Sequence, residues 1–591
     1  MAIKITKQLA TMEDLAIGIG TVVQERNGVP LTLNKISFSS TTPNIASMQT
    51  TQATVGTTIQ TLGYYSAGDG GSNTYEIVAG GTGTADGGSF IQLNNGLQAK
   101  GLFNEGVFAD QFGLRGDGVT NDGPKATNAA AFGATVTFNS SKSYLLQNFQ
   151  LPGKDSIIDF NNAEIIVNGA DCVIFYALTD IAQFNIVHKI INGRFLIETN
   201  HTAIKAHNVW QPGVRLPPII SNNEFYVAWS VTAVDSIISL QGLNSVNIKD
   251  NSFLGGPERL TNNIYGVVVV LGDDFNTSVM NCVIEQNTFT RIGFPIYFHD
   301  RTLLTGGRVE GTSIQNNTFV LCRECVRLNI GLSDRIQNNL FSQIFVGIDI
   351  TTSNSVISGN QFESTYNYGL IVRGTSQSFF ERNTVVGNNF KHNTAETTVA
   401  NPCCILITAA TAEKVRFSDF SNNVFYSVNN NTIDAVIFEI GSNNIVGLNF
   451  SGCQFLNFDN AFSSDTSTEG LIRRFTGSTF LFGTNRLFDD PDVFSNETNP
   501  TYGSWDHGVF GGVLDARGVD VISCLGTSDI TGLHFPEVKG KRVLIINKSS
   551  GGRTLVHSST FVLVGAVDRT LGPDRSIEMV KHFTQWLEVG S

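Results

Sequence analysis

The chain has 591 residues, with 38 Lys and Arg against 51 Asp and Glu, and therefore a formal net charge of −13. This surplus of negative charge argues against a nucleic-acid partner, because phosphate binding needs a basic face. With 15% charged and 41% hydrophobic residues, the composition excludes a disordered chain. The lack of an apolar run of about 18 residues argues against a transmembrane helix and membrane insertion.

The first 107 residues differ from the rest in amino-acid composition and pattern. Residues 1–60 start with a weakly helical stretch and end in a segment rich in Thr and Gln, which predicts a small anchor with a linker. No apolar segment follows the first lysines, so we expect no secretory signal peptide. Residues 61–107 are rich in Gly and carry short strand patterns, which predict a neck or cap.

A repeat follows over residues 108–495. A polar residue, usually Asn, recurs two positions before a Phe, at Phe-to-Phe steps of 21 to 36 residues. Such variable steps exclude arrays of strict period and favour a parallel β-helix, whose turns vary in length while its strands stay in register. We expect the Asn side chains to pair from coil to coil and the Phe side chains to stack inside. The alternative, an antiparallel sandwich, would need tight Asn-Gly hairpins, which are scarce. The clearest copies of the repeat are Asn223-Glu-Phe225, Asn251-Ser-Phe253, Asn287-Thr-Phe289, Asn317-Thr-Phe319, Asn339-Leu-Phe341, Asn360-Gln-Phe362, Asn388-Asn-Phe390 and Asn423-Val-Phe425.

A segment just before the repeat carries a family resemblance. Phe112-Gly113 with Gly116-Asp-Gly-Val-Thr-Asn-Asp122 resembles the Phe-Gly-Ala-x-Gly-Asp-Gly-x-Thr-Asp-Asp motif that opens pectate-lyase-like right-handed β-helices, a motif common in bacteriophage tailspikes. Tyr64–Ser72 is similar to the stretch before the helix cap of tailspike depolymerases. Leu114 and Asn121 depart from the motif. The resemblance marks the fold and its start, and it carries over no catalytic residue.

This resemblance implies a homotrimeric tailspike, attached to virion tail proteins through its N-terminus, made in the host cytoplasm and acting at the bacterial cell surface. Such a protein would bind and depolymerise a surface polysaccharide, either capsule or O-antigen. We favour a glycosidase, because carboxylates outnumber Lys and Arg near the predicted groove. A polysaccharide lyase and a non-catalytic receptor-binding adhesin of the same fold stay open.

The last part of the chain changes again. Short alternating strand patterns over residues 496–591 predict a β-sandwich. The resemblance implies that this part trimerises or binds glycan, and a simple cap of the solenoid is the alternative.

The eight Cys show no paired spacing, so we expect reduced thiols. Cys322-Arg-Glu-Cys325 has no second pair and no nearby His, so we interpret it as structural and expect neither cofactor nor metal.

A second strand in each coil offers a candidate site. In this strand a small residue is followed by side chains that point alternately inward and outward. The two outward positions of successive strands therefore form two columns along the β-helix. Chemically capable side chains concentrate in the columns of three successive coils. Cleavage of a glycan needs an acid and a base, so we expect Asp300, Glu324 and Asp349 to be catalytic. The expected substrate-binding residues are Tyr297, His299, Arg327 and Arg373.

The alternative is that these residues only decorate a solvated face, with Tyr297, Arg327 and Asp349 as a cross-strand ladder. Asp274 and Glu363 are reserve candidates for the catalytic acid. Glu363 lies close in sequence to Tyr366 and Tyr368, whose rings would suit sugar stacking. A site between subunits also stays open.

Overall fold

The structure is a computed structural model, and it describes a defined part of the chain. The described ranges are 23–26, 29–32, 38–103, 106–175, 187–207, 218–241, 243, 245–256, 263–270, 279–299, 309–374, 380–409, 415–428, 433–440, 445–446, 448–458 and 460–464, followed by short stretches between 472 and 589. The chain divides into two compact units, residues 1–176 with 188–195, and residues 177–187 with 196–591. Among the described residues, no helix has the length and apolar character needed to cross a membrane.

The first unit begins with a small mixed sheet. Its strands, in spatial order, are Phe38–Thr42, Thr58–Thr61, Asn73–Val78, Gln98–Leu102 and Phe90–Gln92. The first two pair in parallel and the others antiparallel. Helix Ile45–Gln49, capped by the side chain of Asn44, packs into the same core as Tyr75 and Ile77. A separate hairpin joins Val23–Arg26 to Val29–Thr32.

The predicted boundary after residue 60 lies inside strand Thr58–Thr61, which pairs with Asn73–Val78. A division of the chain at this point would therefore separate strands of one sheet. The predicted limits of the anchor, the neck and the C-terminal part stay predictions.

The motif of residues 112–122 forms the start of the β-helix, as the resemblance implies. A 3₁₀ helix, Ala109–Phe112, ends at Gly113 with φ 79°, in the left-handed region that suits glycine. Strand Asp117–Asn121 and helix Gly123–Phe132 follow. Asp122 is fully buried, and its carboxylate accepts the backbone N–H groups of Arg115 and Gly116 at 2.9 Å each. The first coils comprise Val107–Phe108, Thr135–Thr137, Ser143–Leu145, Phe149–Leu151, Ser156–Asp159, Glu164–Val167, Val173–Phe175, His188–Ile191 and Arg194–Ile197.

The second unit is built from coils of three parallel strands, which confirms the predicted right-handed parallel β-helix of the all-β class. The Ile sheet consists of Ile219–Ser221, Asn247–Lys249, Val283–Glu285, Ser313–Gln315, Arg335–Gln337, Val356–Ser358 and Thr384–Val386. The Phe sheet consists of Glu224–Val227, Ser252–Leu254, Thr288–Thr290, Thr318–Val320, the first residues of Leu340–Ser353 and Gln361–Gly374, Asn389–His392, Val424–Ser427, Gln454–Leu456 and Thr479–Leu481.

The long-strand sheet carries the candidate site. It consists of Ile204–His207, Ile238–Gln241, Asn263–Val270, Phe294–His299, Glu324–Leu332, Leu340–Ser353, Gln361–Gly374, Cys403–Ala409, Asp434–Ile440 and Asn460–Ser464. Shorter strands complete the coils at Ala233–Val234, Val279–Met280, Val309–Glu310, Phe380–Glu381, Val415–Arg416, Ile445–Val446, Leu448–Ser451, Ile472–Thr476 and Arg486–Phe488.

Two side-chain stacks confirm the predicted register. Phe rings on the Phe sheet stack from Phe225 to Phe455, with centroids 4.5 to 5.3 Å apart and ring planes within 14°. Buried Asn side chains form a continuous ladder from Asn223 to Asn423, in which each Nδ2 donates to the next Oδ1 at 2.9 to 3.1 Å. The residue before each of these Asn has a positive φ, as in Asn316 at 56° and Gly359 at 63°. Asn and Gly tolerate this conformation best, which explains why the repeat is rich in both.

Beyond residue 495 the described strands are Ser504–His507, Val513–Asp515, Val521–Cys524, Gly532–His534, Arg542–Asn547, Arg553–Leu555, Phe561–Val562, Arg569–Leu571, Ser576–His582 and Gln585–Glu588. Parallel pairing continues through Ser504–His507, Val521–Cys524 and Arg542–Asn547. Antiparallel pairing begins where Arg542–Asn547 meets Ser576–His582. Strands are thus found where the sequence predicts them, and the β-sandwich stays a prediction.

Candidate functional site

The predicted outward column lies on the long-strand sheet in the expected register. Tyr297 pairs with Arg327, Arg327 with Asp349, and Asp349 with Ile371 on successive strands. Successive strands are about 4.8 Å apart. The column therefore brings Tyr297, Arg327 and Asp349 together over three coils.

Asp349 lies in the outward column but is shielded from solvent. Its side chain is only 4% exposed, and its Oδ1 accepts a hydrogen bond from Nε of Arg373 at 2.7 Å. Arg373, which is 40% exposed, covers the carboxylate. Arg373 was predicted to bind substrate, and in this structure it binds Asp349. The closed pair fixes the orientation of the Asp349 carboxylate on the outer face.

Glu324 lies at the start of the strand that carries Arg327. Its side chain is 16% exposed, and its Oε1 lies 3.8 Å from Nη1 of Arg327, which is beyond hydrogen-bond distance. Neither Oε1 of Glu324 nor Nε of Arg327 has a hydrogen-bond partner within the described part of the chain. This second carboxylate–arginine pair is therefore open, whereas that of Asp349 and Arg373 is closed.

The surroundings of Glu324 favour its protonated form. Burial, and next the negative charge of Asp349, raise the pKa of Glu324 above its ordinary value, against the opposing charges of the nearby arginines. Two neighbouring carboxyl groups with different environments are typical of an acid and a base that work together. The arrangement can thus offer a proton from Glu324 beside the carboxylate of Asp349.

Aromatic rings lie on the coils before the carboxyl pair. Tyr265 stacks on Phe294 at 4.4 Å, and Tyr297 meets the edge of Tyr265 at 5.0 Å. The guanidinium of Arg323 lies 4.5 Å from the Phe294 ring centroid, and that of Arg327 lies 5.4 Å from the Tyr297 ring centroid. Sequence analysis missed Tyr265 and Arg323. The available signal was the alignment of Tyr265-Gly-Val-Val268 with Phe294-Pro-Ile-Tyr297, which places a second aromatic opposite Phe294.

Several predicted residues are not placed in this cluster. Asp300 and the reserve residue Asp274 lie outside the described residues. His299 ends strand Phe294–His299 and pairs with Val270, and its side chain lies outside the description.

The other reserve residue, Glu363, lies on the Phe sheet. Its carboxylate accepts a hydrogen bond from Gln361, and it lines a groove of about 420 Å³ with Lys391 and Tyr426. Tyr366 is 5% exposed and therefore has little ring surface for a sugar, while Tyr368 packs against Ile371 and Cys403.

Seven cysteines are buried free thiols: Cys172, Cys282, Cys322, Cys325, Cys403, Cys404 and Cys453. Cys322 donates from Sγ to the carbonyl of Phe289, and burial raises the pKa of Cys325 well above its ordinary value. A buried thiol with a raised pKa is a poor nucleophile and a poor ligand. These features fit the structural interpretation. Within the described ranges, no group of three or more His, Cys, Asp and Glu is placed to hold a metal ion.

Comparison with known proteins gives one family match and several structural ones. The model of the periplasmic copper-binding protein (NosD) family matches residues 191–403, which lie within the β-helix. No curated protein matches the chain. Among solved structures, the chain is similar to the tailspike protein of Acinetobacter baumannii phage AM24, with 12% identity, a TM-score of 0.40, and coverage of 75% of this chain and 65% of that one.

Two further solved structures are also tailspikes. The tailspike gp61 of Pseudomonas phage phi297 has 9% identity and a TM-score of 0.46, covering 77% of this chain and 88% of that one. A mutant tailspike of E. coli bacteriophage HK620 in complex with a pentasaccharide has 9% identity and a TM-score of 0.41, covering 85% and 95%.

Proposed function

We propose that the chain is a phage tailspike that binds a bacterial surface polysaccharide, capsule or O-antigen, and depolymerises it as a glycoside hydrolase. The observation that carries this proposal is the carboxyl pair on the outer face of the long-strand sheet. The Glu324 side chain is 16% exposed, its buried Oε1 has no hydrogen-bond partner among the described residues, and its pKa is raised. Asp349 is held by Arg373. The trimer, the virion attachment through the N-terminus and the glycan-binding role of the C-terminal part belong to the same proposal.

In this mechanism Glu324 is the general acid. Its carboxyl group donates a proton to the glycosidic oxygen as the bond to the anomeric carbon breaks. Asp349, oriented by Arg373, either activates a water molecule or attacks the anomeric carbon itself. In the second case Glu324, now deprotonated, activates a water molecule that hydrolyses the covalent glycosyl–enzyme ester and regenerates the Asp349 carboxylate. Carboxyl groups about 5 Å apart favour the second course, with retention, and about 6.5–9.5 Å the first, with inversion.

The test uses the full chain on a panel of purified capsular and O-antigen polysaccharides, with release of reducing ends as the readout. Glu324→Gln and Asp349→Asn should each lower the rate at least ~100-fold while glycan binding persists. Glu285→Gln is the matched control, because this carboxylate lies on the Ile sheet and pairs with Gln315. If both site variants keep more than half of the wild-type rate, the proposed site is wrong. Mass spectrometry then distinguishes a lyase, whose product carries a 4,5-unsaturated terminal sugar, from a hydrolase.

One observation favours a second function, that of a non-catalytic receptor-binding adhesin. Asp349 is almost fully buried under Arg373, which is also what a purely structural ion pair on a sheet would show. Purified protein spotted on a lawn of susceptible bacteria decides between the two. A halo indicates cleavage, whereas binding to the cells without a halo supports the adhesin.

A further inference from the structure

The two arginine–carboxylate pairs of the site are unlike each other. Arg327 lies directly opposite Asp349 in the strand register, yet Asp349 accepts its hydrogen bond from Arg373. Arg327 is left 3.8 Å from Glu324, and its Nε has no hydrogen-bond partner among the described residues. An ion pair with a purely structural role is stabilised by a direct hydrogen bond, such as the one between Arg373 and Asp349 at 2.7 Å. Nε itself is buried, but the Arg327 side chain is 34% exposed, so the rest of the guanidinium is accessible to a ligand.

The local charge also differs from that of the chain. The chain as a whole carries −13, and Arg373 is neutralised by Asp349. When Glu324 holds its proton, Arg327 keeps an uncompensated positive charge within the cluster. Arg323 lies beside this cluster, over the face of Phe294.

The aromatic rings fix where a ligand would meet this charge. Tyr265 and Tyr297 are both half-buried, and Arg327 lies over the ring of Tyr297. A ring that borders a guanidinium can carry the apolar face of a sugar while the guanidinium binds a substituent of it. The planar fork of arginine matches a carboxylate or phosphate, which can accept two parallel hydrogen bonds.

We propose that Arg327 is the anchor of an anion subsite, and that the glycan bound beside Glu324 and Asp349 carries a carboxylate or phosphate group. This inference rests on the proposed function for its choice of a glycan. It goes further in stating that the polysaccharide is acidic and in naming the residue that selects it. The sugar next to the acidic group stacks at Tyr297 and Tyr265.

Binding of defined sugars to the full chain tests the subsite directly. Saturation-transfer NMR titrations compare glucuronate and N-acetylneuraminate, as carboxylate probes, and glucose 6-phosphate, as the phosphate probe, with glucose and N-acetylglucosamine. At least one anionic probe should bind about tenfold more tightly than the neutral sugars. The anionic probe that binds most tightly identifies the acidic group of the glycan. If no anionic probe binds better than its neutral counterpart, the proposal is overturned.

Substitution at Arg327 locates the effect. Arg327→Gln should weaken binding of the anionic probe at least ~10-fold, since a charge-assisted pair contributes this much, and should change binding of glucose less than twofold. Arg335→Gln removes the same charge from the exposed face of the Ile sheet and should leave both affinities within twofold. Equal losses in the two variants would mean that only long-range charge acts, and would overturn the subsite. Arg327→Lys keeps the charge without the fork and should retain part of the preference, which gives a reading even if Arg327→Gln is unstable.

Failure of this inference can be told apart from failure of the proposed function. Cleavage confined to neutral polysaccharides would keep the hydrolase and reject the anion subsite. Anion binding that depends on Arg327, without cleavage of any polysaccharide in the panel, would keep the subsite and reject the hydrolase.

Discussion

The asparagine ladder makes a quantitative prediction about stability. Asn339 is 1% exposed, and its side chain makes four hydrogen bonds. Its Oδ1 accepts from the backbone N–H and from Nδ2 of Asn317 at 2.9 and 3.1 Å. Its Nδ2 donates to the carbonyl of Ile314 at 2.9 Å and to Oδ1 of Asn360 at 3.0 Å. Asn339→Ala removes all four bonds at once.

The loss in the free energy of unfolding depends on which groups bonded to the Asn339 side chain keep another hydrogen bond. Oδ1 of Asn360 keeps the backbone N–H of residue 339, and Nδ2 of Asn317 keeps the carbonyl of Ile284. The buried backbone N–H of Asn317 loses its partner, which costs about 1–3 kcal/mol. The remaining lost bonds bring the expected decrease in the free energy of unfolding to about 2–4 kcal/mol.

The matched control is Asn389→Ala, because Asn389 is an exposed residue on the outer face of the Phe sheet. Its substitution should change stability by less than about 0.5 kcal/mol. Guanidinium chloride unfolding followed by circular dichroism gives the free energies, and unfolding rates serve where unfolding is irreversible. If Asn339→Ala lowers the free energy of unfolding no more than Asn389→Ala does, the ladder does not stabilise the β-helix.

Four further predictions concern the core, the titrating groups and the first unit. Phe341→Ala should cost about 3–5 kcal/mol or abolish soluble expression, because it leaves a cavity in the ring stack. Burial raises the pKa of Asp334 to about 7, so the folded chain holds a proton there that the unfolded chain has lost above about pH 4. Stability should therefore fall by up to about 4 kcal/mol as pH rises from about 4 to about 7 and then level off, and Asp334→Asn should flatten this dependence in thermal melts at fixed pH. The pKa of Glu324 is raised, so its carboxyl group should stay protonated, and the cleavage rate should stay high, at pH values above the ordinary Glu pKa of about 4.3. The rate should then fall as the pH rises through the raised pKa. Removal of residues 1–37 should leave a soluble protein, whereas removal of 1–60 deletes two strands of the first sheet and should give aggregation in size-exclusion chromatography.

The fold could be predicted from the sequence because each coil repeats the same physical demands. Each coil has three features at fixed spacing: a residue with positive φ, a buried Asn that pairs along the axis, and an inward Phe. Asn316, Asn317 and Phe319 are one example. The spacing survives loops of different length, so the register of the outward residues followed from it. The pairing of Tyr297 with Arg327 and of Arg327 with Asp349 was predicted on that basis alone.

Other features depend on distances that a pattern does not contain. Alternation along a strand shows which face a side chain takes, but not whether a neighbour covers it, and Asp349 is covered by Arg373 from the next coil. The composition of residues 49–61 suggests a linker, although Thr58–Thr61 pairs with a strand that begins twelve residues later. Tyr265 was missed because it precedes the small residue at which the predicted pattern begins, whereas the strand itself starts at Asn263.

The position of the carboxyl pair along the column has a physical reason. On one side lie the rings of Tyr265, Phe294 and Tyr297. On the other side the outward column turns apolar, and Ile371, Leu406 and Ile437 are only 4%, 5% and 8% exposed. The carboxyl groups thus lie between two poorly hydrated surfaces, where charge interactions are stronger than in open water. Burial between these surfaces raises the pKa of Glu324, and the same burial requires Asp349 to have an arginine partner. One arrangement of the outer face therefore accounts both for the difference between the two carboxyl groups and for the closed pair with Arg373.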